Sequence, residues 1–309
     1  MQRHLMIKLL IILSIVTFCH LFFVKGHLWP ADAFDWMIIR DIRLPRTLLG
    51  LLAGFILAVT GLVFQTVFGN KLADSFTLGL AGSASLGSAL GIILGISVVM
   101  VSIMMSLLAL LFIIYLTHTY FRRSQRIGMI LFGLFINFFC SSALYGLVVL
   151  WPGRSRQLMN YLFGSIGTAT WTDIGLLMPL TLVGTAGLFW LARAITIVAS
   201  GETLARGVGI NDQIIIYISL SIASVMTAVL ISTTGIIGFV GLIIPQLFSG
   251  MKQFWSVGIT GSIAVMSADF LGNNLLAPIQ LPVSVPLSLA GLPLLLLMML
   301  KKEARGGLK

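Results

Sequence analysis

Apolar runs of about 20 residues recur from end to end of this 309-residue chain, and that is the length a helix needs to cross a hydrocarbon core about 30 Å thick. They fall near 6–24, 47–68, 76–96, 98–117, 127–150, 174–194, 213–232, 238–250, 254–271 and 287–300. The runs are continuous rather than alternating, which excludes a membrane barrel. Backbone groups in lipid must then be satisfied inside helices. The expected fold is an all-α polytopic membrane protein, with about ten transmembrane helices in one bundle. Composition agrees: 9% of residues are charged, where a soluble domain has about one quarter. Two stretches are weakly bounded. The window near 238–250 is short, and the breaks between 60 and 100 rest on "GNKLAD" and Gly95.

A formal net charge of +10 would suggest nucleic acid in a soluble protein. Here the cations sit mostly in short connections, where Lys and Arg set orientation, so no nucleic-acid partner is expected. With the N-terminus inside, the inner segments hold Arg3, Lys8, Lys71, Arg122, Arg123, Arg126, Arg206, Lys252 and the tail Lys301, Lys302, Arg305 and Lys309. The outer ones hold Lys25, Arg40, Arg43, Arg46, Arg154 and Arg156. This bias places both termini in the cytoplasm, with "IRDIRLPR" at 39–46 as a local exception. The N-terminal stretch has the basic start and apolar core of a signal peptide without a small-residue cleavage site, and reads as a retained first span. Cys19 and Cys140 fall in apolar runs as small hydrophobes, with no disulfide or metal spacing. No soluble domain can be cut from 1–309, which reads as a single membrane domain.

Gly50 and Gly54 stand four apart, as do Gly87, Gly91 and Gly95, a spacing that lets neighbouring helices approach closely. The reading is tight packing rather than a direct role. Intramembrane ionisable residues would mark an ion relay, and here they are scarce. Asp74 and Asp269 lie at or near the ends of apolar runs, and His20 and His118 read as interfacial. No G-x-x-x-x-G-K-[ST] loop is present, so any transport is passive or powered by another subunit. The stretch "ASGETLARGVGI" at 199–210 stands out between two apolar runs. Glu202 and Arg206 are four apart in the favourable helical order, and Gly201, Gly207 and Gly209 punctuate them. It is either a charged helix that a cytoplasmic partner could grip or a solvated loop with one helical turn.

Several colinear stretches resemble one family. "RLPRTLLGLLAGFILAVTGLVFQTVFGNKLADSFTLGLAGSASLG" (43–87), "RQLMNYLFGSIG" (156–167), "GETLARGVGI" (201–210), "GIIGFVGLIIPQ" (235–246) and the stretch 268–300, opening "ADFLGNN", are similar to permease subunits of type II ABC importers for iron–siderophore, haem or vitamin B12 (FecCD-like). The resemblance covers almost the whole chain and implies a transmembrane permease domain over 1–309, in a bacterial inner (cytoplasmic) membrane. It implies coupling helices at 197–212, with Gly201, Glu202, Ala205, Arg206 and Gly209 meeting an ABC ATPase subunit. Arg43 and Arg46 match outward arginines that dock a periplasmic or lipid-anchored substrate-binding protein. Asn70 and Leu72, with Ser124 and Gln125, match a cytoplasmic gate. Residues 233–241 match a short helix by the outer mouth, with Gly235, Gly238 and Phe239. A second permease copy or a closely similar permease completes the pathway. The subunit is expected to bind no cofactor or metal, with ATP and Mg on the partner ATPase, and to perform no catalysis.

Three departures from the family pattern stand out: Lys71 in Asn70-Lys71-Leu72-Ala73 where proline is usual, Gln246 after Pro245 where histidine is usual, and Asn273 near a third docking arginine. The cargo expected is a ferric siderophore, with haem and cobalamin behind it. Two rivals remain at this stage. An ion-coupled secondary transporter would need Asp74 or Asp269 to titrate in the pathway, and a membrane scaffold or sensor would move nothing.

Overall fold

The structure is a computed structural model, and it describes residues 2–22, 33–121, 125–274 and 280–306. Thirteen α-helices run through those residues: α1 Gln2–Phe22, α2 Ala33–Ile38, α3 Leu44–Phe68, α4 Leu80–Leu94, α5 Val98–Tyr120, α6 Gln125–Leu150, α7 Ser155–Phe163, α8 Trp171–Ala199, α9 Glu202–Gly207, α10 Asp212–Thr234, α11 Val240–Ile243, α12 Phe254–Asn274 and α13 Ser284–Gly306. No strand occurs among the described residues. Among the described residues seven helical stretches are long and apolar enough to cross a membrane. Two shorter apolar helices, Leu80–Leu94 and Ser284–Met298, accompany them. The stretch expected as a span near 238–250 is instead broken: α11 gives way to a 3-10 turn at Ile244–Leu247 and another at Met251–Gln253.

Local chemistry sets several helix ends. Thr170 and Asp173 form a reciprocal capping box at the start of α8, and the side chain of Asn211 accepts from Ile214 N to open α10, each satisfying a donor with no helical acceptor. A π-helical turn over Ile39–Arg43 precedes α3. Pro45 sits in the first turn of α3 and has no N–H to give the carbonyl four residues back; the wider turn fits that loss. Helix α4 starts at Leu80, later than the window 76–96 suggested, because Asp74 and Thr77 hydrogen-bond each other's backbone N–H at 2.8 Å. Such local bonds compete with helix.

Helix α3 is the axis of the bundle, buried on most of its surface. It meets α12 back to back at Gly54 and Gly261, where a Cβ on either would run into the carbonyl of the other. The four-residue spacing does mark contact faces at Gly50, Gly54, Gly87 and Gly91. Gly95 is different: it ends α4 in a left-handed conformation, φ 69°, with open space around it. Hydroxyls join the other helices. Ser102 Oγ on α5 reaches Ala84 O at 3.0 Å and Ala228 O at 2.9 Å, on α4 and α10. Ser106 and Ser224 pair at 2.9 Å.

Contacts sort the helix ends into two faces. One gathers the end of α1, the starts of α3 and α8, the ends of α10 and α12, and α7: Ser165 N donates to Thr234 O, and Ser284 Oγ to Phe163 O. The opposite face gathers the turn after α3, the 3-10 turn after α11, and α9. In the orientation read from the basic loops, these are the outer and inner faces.

Candidate functional site

At the outer face a cluster of polar side chains is walled in by α1, α3 and α12. Arg46 donates from Nε to Asp269 Oδ2 and from Nη2 to Asp269 Oδ1, both at 2.8 Å. Asn273, one turn beyond Asp269, accepts from Arg46 Nη2 at 2.9 Å and donates to Asp269 Oδ2 at 3.0 Å. His20 closes the set, Nε2 lying 2.8 Å from Asp269 Oδ2 and Nδ1 2.8 Å from Thr47 Oγ1. His20 is buried and ties the last turn of α1 to the bundle, beside Arg43, whose Nη1 donates to Leu21 O at 3.0 Å. Buried charges persist only when paired and hydrogen-bonded, and Arg46 and Asp269 are both.

The two arginines expected to face a docking partner are thus both held within the chain. The Arg46 side chain is 14% exposed, with Nη1 bearing no hydrogen bond among the described residues, near Gly167. Arg43 is half-buried. Asn273, which aligns near a further docking arginine, serves instead as a partner of Arg46. Asp269 is spent on the cluster, and Asp74 is buried in its turn. Helix α7, not foreseen as a helix, lies at the same face. Its Tyr161 donates to Ser232 O at 3.1 Å, and burial, then the nearby Asp173, push this phenol up and keep it a donor.

At the inner face, residues 70–79 form successive turns. Asn70 Oδ1 accepts from Leu72 N at 2.9 Å, an Asx-type turn, and the Leu72 side chain stands exposed. Of the second gate pair, Ser124 lies outside the described residues. Gln125 is the first residue of α6, and its side chain is likewise outside them. His118 pairs at its Nε2 with the Tyr217 hydroxyl, 2.6 Å away, joining the inner ends of α5 and α10.

The short helix expected over 233–241 is placed differently. Residues 233 and 234 end α10, residues 235–238 are non-helical, and α11 starts only at Val240. Gly235 stops α10 at φ 71°, ψ −169°, a conformation open essentially to glycine. Phe239 is the non-glycine residue with positive φ, 70°, among the described residues. A Cβ at Gly238 would meet open space. Helix α11 then packs along the C-terminal half of α3, backbone against backbone at Gly61 and Gly241. Two glutamines that carried no assigned role secure it. Gln65 Nε2 donates to Gly241 O at 3.1 Å and Leu242 O at 2.9 Å. Gln246 Nε2 reaches Leu242 O and, across the bundle, Lys71 O, both at 2.9 Å. An amide in the middle of "LVFQTVF" was the available signal for Gln65.

Helix α9 projects between α8 and α10 at the same inner face. Gly201 precedes it at φ 129°, and Gly209 follows at φ 74°, both conformations that favour glycine. Ala205, expected at a partner contact, is fully buried, and its carbonyl accepts from Ile210 N at 2.9 Å. It anchors the knob. Leu204, Val208 and Arg206 take the outer surface. The side chain of Glu202 is outside the described residues. A groove of about 340 Å³, lined by Arg206, Gly209, Ile210, Asn211, Asp212 and Gln213, opens beside the knob. Among the described residues no group of three His, Cys, Asp or Glu gathers as a metal site.

Known proteins share this plan. The FecCD transport family profile matches residues 7–301. The chain is 30% identical over 302 residues to the hemin transport system permease protein HmuU of Yersinia pestis, covering 91% of this chain and 89% of that one. It is 28% identical over 323 residues to the vitamin B12 import system permease protein BtuC of Escherichia coli O127:H6, covering 97% of each. A solved metal-chelate type ABC transporter in an inward-facing conformation superposes with a TM-score of 0.87 at 22% identity, over 97% of this chain and 100% of that one. At that identity the likeness speaks for the fold.

Proposed function

This chain belongs to the FecCD transport family, and from that premise we propose that it is the permease subunit of an ATP-driven importer taking up a ferric siderophore across the bacterial inner membrane. The observation that carries the coupling is α9. It is a short helix, fixed by two positive-φ glycines and by buried Ala205, that presents exposed Leu204 and Val208 beside the groove at 206–213. A surface of that shape suits an ABC ATPase subunit, and a rigid knob transmits a rigid-body movement. ATP and Mg belong to that partner, and this subunit catalyses nothing.

A periplasmic or lipid-anchored binding protein delivers the cargo near Arg43 and Arg46, where acidic groups would steer the encounter. A second copy or a closely similar permease completes the pathway, and Asn70 and Leu72, with Ser124 and Gln125, close its inner end. Haem is the second reading of the cargo, favoured by the 30% identity to a hemin permease. A chelator or porphyrin holds the iron in either case, so the protein need supply no metal ligands.

The test is uptake of radiolabelled ferric siderophores, hemin and cobalamin by cells lacking this subunit, with the gene restored and with a hydrolysis-dead ATPase. Recovery for one siderophore that fails with the dead ATPase supports the proposal. Recovery for hemin or cobalamin alone moves the cargo, and recovery with the dead ATPase overturns the importer reading.

A further inference from the structure

We infer that Gln246 is a positioning residue for the inner turn Asn70–Leu72, tying that turn to the stretch 240–247 so that the two move as one body during transport. This rests on the importer reading above.

The argument begins with a missing proton. Pro245 has no N–H, so the Gly241 carbonyl four residues back loses its helical donor. From Ile244 the winding tightens to 3-10, which disturbs the Leu242 carbonyl as well. Unpaired carbonyls are costly away from water. Gln65, buried on α3, donates to both. Stretch 240–247 is therefore irregular yet fully held: its backbone lies against Gly61 and Leu57 O on one side, and an amide reaches its two stranded carbonyls.

Gln246 adds the link outward. Its Nε2 has two protons, and its two bonds go to Leu242 O within the stretch and to Lys71 O beyond it. The turn that receives this bond is preformed, through Leu72 N to Asn70 Oδ1 at 2.9 Å and Ala73 N to Asn70 O at 3.1 Å. Two compact pieces of backbone are thus joined through one amide group. At its other end the stretch meets Phe239, at φ 70°, then Gly238, where a Cβ would meet open space, and Gly235 at φ 71°. Element-terminal residues of this kind absorb changes in φ and ψ. The positive-φ residues lie at 235–239, which Ile236 N ties to Tyr161 O at 3.2 Å, while the stretch 240–247 is held against α3. A shift there is delivered to the turn through Gln246.

The experiment uses the complex of this chain with its ATPase in liposomes, and reads the stimulation of ATP hydrolysis by the binding protein together with assembly yield. Wild type is the control for the importer reading: if it neither binds an ATPase nor responds to a binding protein, that reading fails, whatever Gln246 does. Gln246→Met keeps the length of the side chain and removes both donors. Stimulation is expected to fall about three- to tenfold, the worth of one hydrogen bond, at unchanged assembly yield. A purely structural role would lower yield and leave stimulation per complex intact. In a background with Cys19 and Cys140 replaced by Ser, Q246C with K71C is then joined by a short bis-methanethiosulfonate reagent, each thiol displacing methanesulfinate. Joining should restore the stimulation that the unjoined pair lacks. Wild-type stimulation in Gln246→Met, or loss of stimulation on joining, overturns the inference. The joined pair decides the matter if Gln246→Met does not assemble.

Discussion

Arg46 and Asp269 meet as a two-point fork, Nε and Nη2 each donating to a different carboxylate oxygen at 2.8 Å. They are 223 residues apart in sequence, and their union fixes the start of α3 against the end of α12. Asp269 is 2% exposed at its side chain, so its carboxylate lies where water cannot replace a lost partner.

Breaking the fork from one side should therefore cost more than deleting it. Asp269→Ala leaves a guanidinium buried without its anion, a loss of about 3–5 kcal/mol. Arg46→Met with Asp269→Leu removes both charges and should cost far less. Thermal unfolding of the purified subunit in detergent measures both, and equal melting temperatures for the single and double variants would refute the pairing argument.

His20 should govern how α1 is held. Most of α1 faces away from the bundle, and its polar attachments sit in the last turn, at His20 and at Leu21 O. His20→Phe is expected to speed amide hydrogen exchange in α1 at least severalfold while leaving α3 and α12 protected. Unchanged exchange in α1 would assign its attachment to apolar packing instead.

The α3–α12 contact should tolerate no side chain at its closest point. Gly261→Val drives a side chain into the Gly54 carbonyl, and overpacking of this kind costs about 1–3 kcal/mol or more. The control is Gly175→Ala on α8, which meets open space and should gain about 0.5–1 kcal/mol from helix propensity. The check is the fraction of folded, monodisperse protein extracted from membranes.

Gly209 separates backbone geometry from contact at the α9 knob. Its φ is 74° with nothing within 4 Å of a would-be Cβ, so a substitution acts through conformation alone. Gly209→Asn should keep ATPase binding, since Asn tolerates the left-handed region. Gly209→Val should lose it, with membrane insertion intact. Equal binding by both in a pull-down with the ATPase subunit would show that the turn's shape does not matter.

The amino-acid sequence by itself determined the membrane class and the order of the apolar helices, because each rests on local physics. A run of apolar residues long enough to span lipid must form a helix, whereas the spacing of 199–210 left a helix and a loop both open. The family resemblance was legible for the same reason: its motifs are contiguous. What the tertiary structure decided was where the polar side chains go. Nothing near His20 announces Thr47 or Asp269. Arg46 looks like an outward cation until Asp269 and Asn273 arrive from the far end of the chain. The window at 238–250 reads as a weak span, yet it becomes a broken stretch because Pro245 strands a carbonyl that only Gln65, on another helix, can satisfy. Burial turns a hydrogen bond between distant residues from optional into obligatory, and which residues are buried together is a property of the packed bundle, not of any one segment.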